Sequence, residues 1–192
     1  MLVKDLVNYK NGLNVLITGG SGQIGSEIKA IQEQMNCNFV FPNSTEFNLL
    51  DLNSIEDYLN NNSFDLVINL AAFTAVDQAE VSKTICNNIN HIGPKILAQQ
   101  TQKRNIGLIQ ASTDYVFGKE NKGPHKELDM ASPINYYGHT KYLGEKKVID
   151  IHNHSLIIRF ASVFSEFGSN FVKSIVKSIL DDKEVRVTTD QK

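Results

Sequence analysis

The chain has 192 residues, is 41% hydrophobic and 21% charged, and carries a formal net charge of -2. That length suits one domain with a full apolar core, and a near-balanced charge with no basic run excludes a nucleic-acid footprint. Two cysteines, Cys37 and Cys86, lack metal-ligand spacing and give no disulfide framework, so core packing is expected of both.

No window reaches the apolar length of a membrane span. The start, MLVKDLVNYKNGLN, has neither a long apolar stretch nor a small-residue cleavage site, so a cytoplasmic protein without a membrane partner is expected.

In chain order, NVLIT (14–18) reads as a buried strand, and TGGSGQIGSEI follows it into a helix over 24–35. FVF (39–41) is a second strand, 54–60 a helix, and DLVINLAA (65–72) a third strand. The stretch 79–104 reads as one long helix, because Ile85, Ile89, Ile92, Ile96 and Leu97 recur at helical spacing. IGLIQAS (106–112) is the fourth strand, and GKENKGPHKELDMASP (118–133) is a polar loop placed to line a ligand crevice. A helix over 137–151, the strand SLIIRFAS (155–162), a helix over 170–181 and a more polar strand EVRVTT (184–189) complete the chain. Strands alternating with helices predict an α/β fold: a Rossmann-type doubly wound parallel sheet with helices on both faces.

The strongest local motif is Gly19-x-x-Gly22-x-x-Gly25, between a predicted strand and a predicted helix. Glycines there allow a tight turn, close approach of a pyrophosphate to backbone N–H groups, and close helix–sheet packing. No Gly-Lys-Ser/Thr follows, which excludes a Walker-type loop. The second strand runs into FPNSTEFN, where a carboxylate would favour NAD and an arginine NADP. Asn43 can bond a ribose hydroxyl but selects neither, so the cofactor is NADP or NAD.

The fourth strand ends in Ser112, Thr113 and Asp114, and downstream lie Tyr136, Tyr137 and Lys141. Only Tyr137 has a lysine four residues later, on the same helix face. A phenol is a weak acid or base near neutral pH, and a nearby ammonium would lower its pKa. The Thr113 hydroxyl would then hold a substrate oxygen. His152 and His154 look like a metal pair, yet with no third ligand in sight a solvated helix end is expected and no metal site is assigned. His139 is read as solvent-facing, and Asp77 and Glu80 as helix-capping carboxylates.

TGGSGQIG, DLVINLAAFTAVDQAE, STDYVFG, SPINYYGHTKYLGE and FGSNFVKSIVKSI occur in order. Together they resemble the extended short-chain dehydrogenase/reductases, and within them the dTDP-4-dehydrorhamnose reductase branch, over about residues 14 to 191. The resemblance implies reduction of the 4-keto group of a 6-deoxy nucleotide sugar. It makes Tyr137 the proton donor, Lys141 its partner and a ligand of the nicotinamide ribose, and Thr113 the hydroxyl on the keto oxygen. It gives Gly19, Gly22, Gln23, Ile24 and Gly25 to the pyrophosphate, Ala71 and Ala72 to the cofactor's path across the sheet, and Asn48 and Leu49 to the adenine edge. Asp114, Tyr115 and Asn170 fall where relatives approach the sugar nucleotide, and a homodimer is implied.

RFASVF stands where that branch reads Arg-Thr-Ser-Trp-Val-Tyr, with Ser162 in the tryptophan's place, and TEFNLLD (45–51) looks like the GDP-fucose synthase branch. An epimerase or epimerase-reductase therefore stays open beside the reductase, as does a non-catalytic, cofactor-binding regulatory subunit. Against the family pattern, the expected organisation is an N-terminal extension (1–13), an NAD(P)-binding Rossmann domain (14–192) and a C-terminal sugar-nucleotide domain that is absent or truncated. Such a chain should bind cofactor better than it turns over substrate.

Overall fold

The computed structural model describes residues 12–118 and 124–185. Five parallel strands lie in the order β2-β1-β3-β4-β5: β1 (Leu13–Thr18), β2 (Cys37–Val40), β3 (Leu66–Asn69), β4 (Gly107–Thr113) and β5 (Ser155–Phe160). β1 holds β2 through the register Val15↔Phe39 and β3 through Ile17↔Ile68. The order reverses direction at β1 and β3, so a crevice opens at their carboxyl ends, where doubly wound sheets bind ligands.

Side chains alternate along β1 and feed two cores. Leu16 joins Val67, Leu97, Leu108 and Val148 on one face, whereas Val15 and Ile17 join Leu66 with Ile28 and Phe41 on the other. The helices around them are α1 (Gln23–Ile31), α2 (Leu52–Asn61), α3 (Val76–Val81), α4 (Lys83–Asn87), α5 (Gly93–Lys103), α6 (Tyr136–Ile151) and α7 (Phe171–Leu180). α2 is capped by Asp51, whose carboxylate accepts from Asn53 N, and α6 by Asn135, which accepts from Gly138 N at 2.7 Å. The doubly wound α/β architecture expected from the sequence is the one observed.

The long helix expected over 79–104 is instead three helices and a π turn. Ser82 leaves helical geometry at φ -100, ψ 44, separating α3 from α4. Pro94 has no N–H to return to Asn90 and its ring would crowd that carbonyl, and the backbone widens to a π turn over Asn88–Ile92. The strand expected over 184–189 lies mostly outside the described residues, and Glu184 and Val185 belong to no regular element. No described helix is long and apolar enough to cross a membrane.

Candidate active site

The loop from β1 to α1 can be built only with glycine at two of its positions. Gly19 has φ +68, and a Cβ there would sit 2.6 Å from Ala71 N. A Cβ on Gly25 would sit 2.6 Å from Gly20 Cα, so α1 could not press against the turn. Gly22 N–H bonds the Gly19 carbonyl at 3.0 Å, and α1 starts at the next residue, Gln23. Free N–H groups of a helix start thus face the crevice beside a cradle that any side chain would fill, which suits a pyrophosphate.

Two cavities share Gly19, Ala71 and Ile89 and so form one trench over the ends of β1 and β3. One, of about 590 Å3, is walled by Gly22, Gln23, Ile24, Gly25, Ala71 and Ala72. The other, of about 460 Å3, reaches Asn43, Asn48 and Leu49 and also Lys29 and Phe41. The trench therefore brings together every residue the sequence reading assigned to a cofactor outside the Tyr–Lys pair. Asn43 has less freedom than its sequence position suggested. Its Oδ1 accepts from Thr45 N at 2.9 Å and Glu46 N at 3.1 Å, closing a turn, so only the amide nitrogen remains to meet a ribose.

Thr113 ends β4, buried, with its hydroxyl donating to Asp114 Oδ1 at 3.1 Å and accepting from Tyr115 N at 3.2 Å. Tyr137 sits in the first turn of α6, 8% exposed, its ring edge-on to Tyr115 at 5.7 Å. Burial pushes the Tyr137 phenol up; a hydrogen bond with Thr113 pulls it down, and Asp114 adds to the rise. Lys141 lies one turn further on, 5% exposed, and donates to the Ala111 carbonyl of β4 at 2.6 Å. Burial lowers its pKa from 10.5 to about 8, against the pull of Glu145.

The expectation that Lys141 lowers the Tyr137 pKa is corrected here. The ammonium donates to β4, and loss of water around Tyr137 outweighs the hydrogen bond with Thr113, so its pKa is raised. His152 is also corrected: it is 3% exposed, with Nε2 at 2.9 Å from the Ile106 carbonyl, and burial lowers its pKa. It closes the end of α6 against the start of β4 and is no solvated helix end. No group of three or more His, Cys, Asp or Glu among the described residues could hold a metal. His139 is exposed, as expected.

Asp114 and Tyr115 lie beside Thr113 and Tyr137, and both are open to solvent. Asn170 is placed differently: it caps α7, accepting from Lys173 N at 3.0 Å, and its amide donates to Gln23 at 3.1 Å and to the Ser165 carbonyl at 2.8 Å. It thereby ties α7 to the glycine loop.

Several supporting residues escaped the sequence reading. Asn90, in the π turn, is buried and brackets Phe73, accepting from its N at 2.8 Å and donating to its O at 3.0 Å, and its amide lies 3.2 Å from Thr140 Oγ1. Glu80 caps no part of its own helix but accepts from Tyr136 N at 2.7 Å, fixing the start of α6. Glu145, 1% exposed, takes both arms of Arg159, at 2.9 and 2.7 Å, one turn below Lys141. A polar residue among helix-spaced isoleucines was the available signal for Asn90, and the Lys141–Glu145 spacing of four the signal for Glu145.

A parallel sheet that opens on a glycine turn, with a Tyr-x-x-x-Lys helix against its fourth strand, is the architecture of the extended short-chain dehydrogenase/reductases. Within that class, the family described as RmlD substrate binding domain matches residues 13–192, and this chain belongs to it. The chain is 34% identical over 177 residues to the spore coat polysaccharide biosynthesis protein SpsK of Bacillus subtilis, covering 92% of this chain and 62% of that protein. It is 30% identical over 178 residues to the dTDP-4-dehydrorhamnose reductase of Aggregatibacter actinomycetemcomitans, covering 92% and 60%. The crystal structure of dTDP-4-dehydrorhamnose reductase from Bacillus anthracis in complex with NADP superposes with a TM-score of 0.85 at 28% identity, covering 92% of this chain and 63% of that one. The chain thus spans about three fifths of the length of these relatives.

Proposed function

We propose that this protein is an NADP- or NAD-dependent reductase acting on the 4-keto group of a 6-deoxy nucleotide sugar, in the cytoplasm. The observation that carries the reading is the meeting of Thr113, Tyr137 and Lys141 at the end of β4, beside a trench whose glycine cradle suits a dinucleotide. Membership of a family whose relatives include dTDP-4-dehydrorhamnose reductases supports it.

When bound, the reduced nicotinamide supplies the hydride. Tyr137 gives its proton to the carbonyl oxygen, which gains charge as the carbon is reduced. Its raised pKa keeps it protonated and ready as an acid, and Thr113, hydrogen-bonded to it, orients the same oxygen. Lys141 spends one N–H on Ala111 and keeps two, enough to hold a ribose. Asp114 and Tyr115 are the side chains open to the sugar.

The test is cofactor oxidation by the full-length protein with dTDP-4-keto-6-deoxy-mannose. Turnover that requires both the nucleotide sugar and reduced cofactor supports the reading. Stable co-purification with a partner enzyme, and no turnover of any 4-keto nucleotide sugar, would favour a regulatory subunit instead.

A further inference from the structure

A buried polar chain joins the floor of the trench to the helix that carries Tyr137. Asn90, 2% exposed in the π turn, clamps the backbone of Phe73, which follows Ala71 and Ala72 of the trench wall. Ile89, its neighbour in sequence, lines both cavities of the trench. The Asn90 amide nitrogen also reaches Thr140 Oγ1 at 3.2 Å and Cys86 Sγ at 3.4 Å. Thr140 lies in α6 between Tyr137 and Lys141, is fully buried, and bonds the Tyr137 carbonyl at 2.9 Å.

A proton count fixes the direction of each bond. The Thr140 hydroxyl has one proton and two lone pairs, and the proton goes to the Tyr137 carbonyl. It therefore accepts from the Asn90 amide, and from the Cys86 thiol at 3.2 Å. Asn90 accepts from Phe73 N, gives one N–H to Phe73 O and has the other for Thr140. The chain is thus satisfied in a site closed to water, where removing one member strands its partners.

The contacts around it show what the hydroxyl controls. The Tyr137 ring packs in one cluster with Ala79 and Cys86, so the thiol that meets Thr140 also belongs to the packing of the ring. One turn further along α6, a Cβ on Gly144 would sit 2.2 Å from the Asn90 carbonyl, so helix and π turn meet without clearance. Where the first turn of α6 sits is set by the π turn, and the reach of the phenol follows from it.

We propose that Thr140 is a positioning residue for the reduction: through Asn90 it locks the first turn of α6 to the trench floor and so holds the Tyr137 phenol in line with the substrate carbonyl. The inference rests on the reading of Tyr137 as the acid and adds the group that aims it. A reacting group displaced by about 1 Å loses about 100-fold in rate, so a small shift of this turn is felt in turnover.

The experiment is steady-state reduction of dTDP-4-keto-6-deoxy-mannose by the full-length protein, with cofactor affinity read by fluorescence titration. Thr140→Val keeps the shape and removes the hydroxyl; kcat should fall about 10- to 100-fold with the Kd of the reduced cofactor within about twofold. Thr140→Ser restores the hydroxyl and should bring kcat back to within about threefold of wild type. In a Tyr137→Phe background, Thr140→Val should change the residual rate by less than about twofold, because the group it aims is already gone. If Thr140→Val does not fold, Cys86→Ala, which removes one donor to the same hydroxyl, should lower kcat severalfold in wild type and leave the Tyr137→Phe rate unchanged. Wild-type kcat in Thr140→Val or in its stand-in, a loss that Thr140→Ser does not restore, or an equal loss in the Tyr137→Phe background overturns the inference and leaves Tyr137 as the acid. Wild-type turnover by Tyr137→Phe itself overturns the reading of the acid and the inference with it.

Discussion

Lys141→Met should remove a specific pH dependence of stability. The folded lysine titrates at about 8, against an ordinary 10.5, because burial penalises its charge. Below about pH 8 it is charged in both folded and unfolded chains, and above about 10.5 it is neutral in both. Between these values the unfolded chain binds more protons, so this group's contribution to stability rises with pH. Each pH unit of the gap is worth about 1.4 kcal/mol, which gives about 3 kcal/mol across the window. Methionine cannot titrate, and it also leaves the Ala111 carbonyl without its donor, a loss that is constant with pH. The assay is urea denaturation of wild type and variant at a series of pH values. Their stability difference should shift by about 3 kcal/mol in favour of wild type between about pH 7 and pH 11. Groups common to both, including the raised Tyr137, cancel in that difference. A difference flat with pH would mean that the lysine is not desolvated as its burial implies.

Gly19→Ala should cost about 1–3 kcal/mol in denaturation and sharply weaken cofactor binding, since φ +68 strains any side chain and the new Cβ meets Ala71 N; an unchanged midpoint would contradict this. Glu145→Ala strands the Arg159 guanidinium, so a loss of about 3–5 kcal/mol is expected in the same assay, with a near-neutral result counting against the pair. His152 is held neutral in the fold and its pKa is lowered by burial, so protonation favours unfolding as the pH falls below about 6.5. His152→Gln should flatten that acid limb of the stability profile, read by thermal melting, and an undiminished slope would assign it to another group.

Local pattern made much of the chemistry legible in the sequence. The glycine turn follows a continuous apolar strand, and a spacing of four to Lys141 singles out Tyr137 over Tyr136. Tyr136 is half-buried against Phe73, Val76 and the Tyr137 cluster, a packing neighbour as its register implied. What periodicity could not show was where long-range contacts override it. The isoleucines of 85–97 keep helical spacing through a π turn, because the widening at Asn90 answers to Pro94 and is closed by Gly144, where a Cβ would lie 2.2 Å from the Asn90 carbonyl. His152 was misread because its partner, Ile106, is 46 residues away. The orientation of Lys141 likewise depends on the Ala111 carbonyl of β4, 30 residues earlier, and no spacing rule contains that contact. Asn170, which the resemblance gave to the sugar nucleotide, also caps α7 and bonds Gln23, contacts that no local pattern announces.

The central claim is that Tyr137 is the acid of a hydride-transfer site, and Tyr137→Phe in the full-length protein tests it most directly. Removing one hydroxyl from a ring packed edge-on to Tyr115 leaves the packing and the trench in place. Reduction of dTDP-4-keto-6-deoxy-mannose should fall by about 10²–10⁴-fold while affinity for the reduced cofactor stays unchanged. Wild-type turnover by Tyr137→Phe would contradict the account.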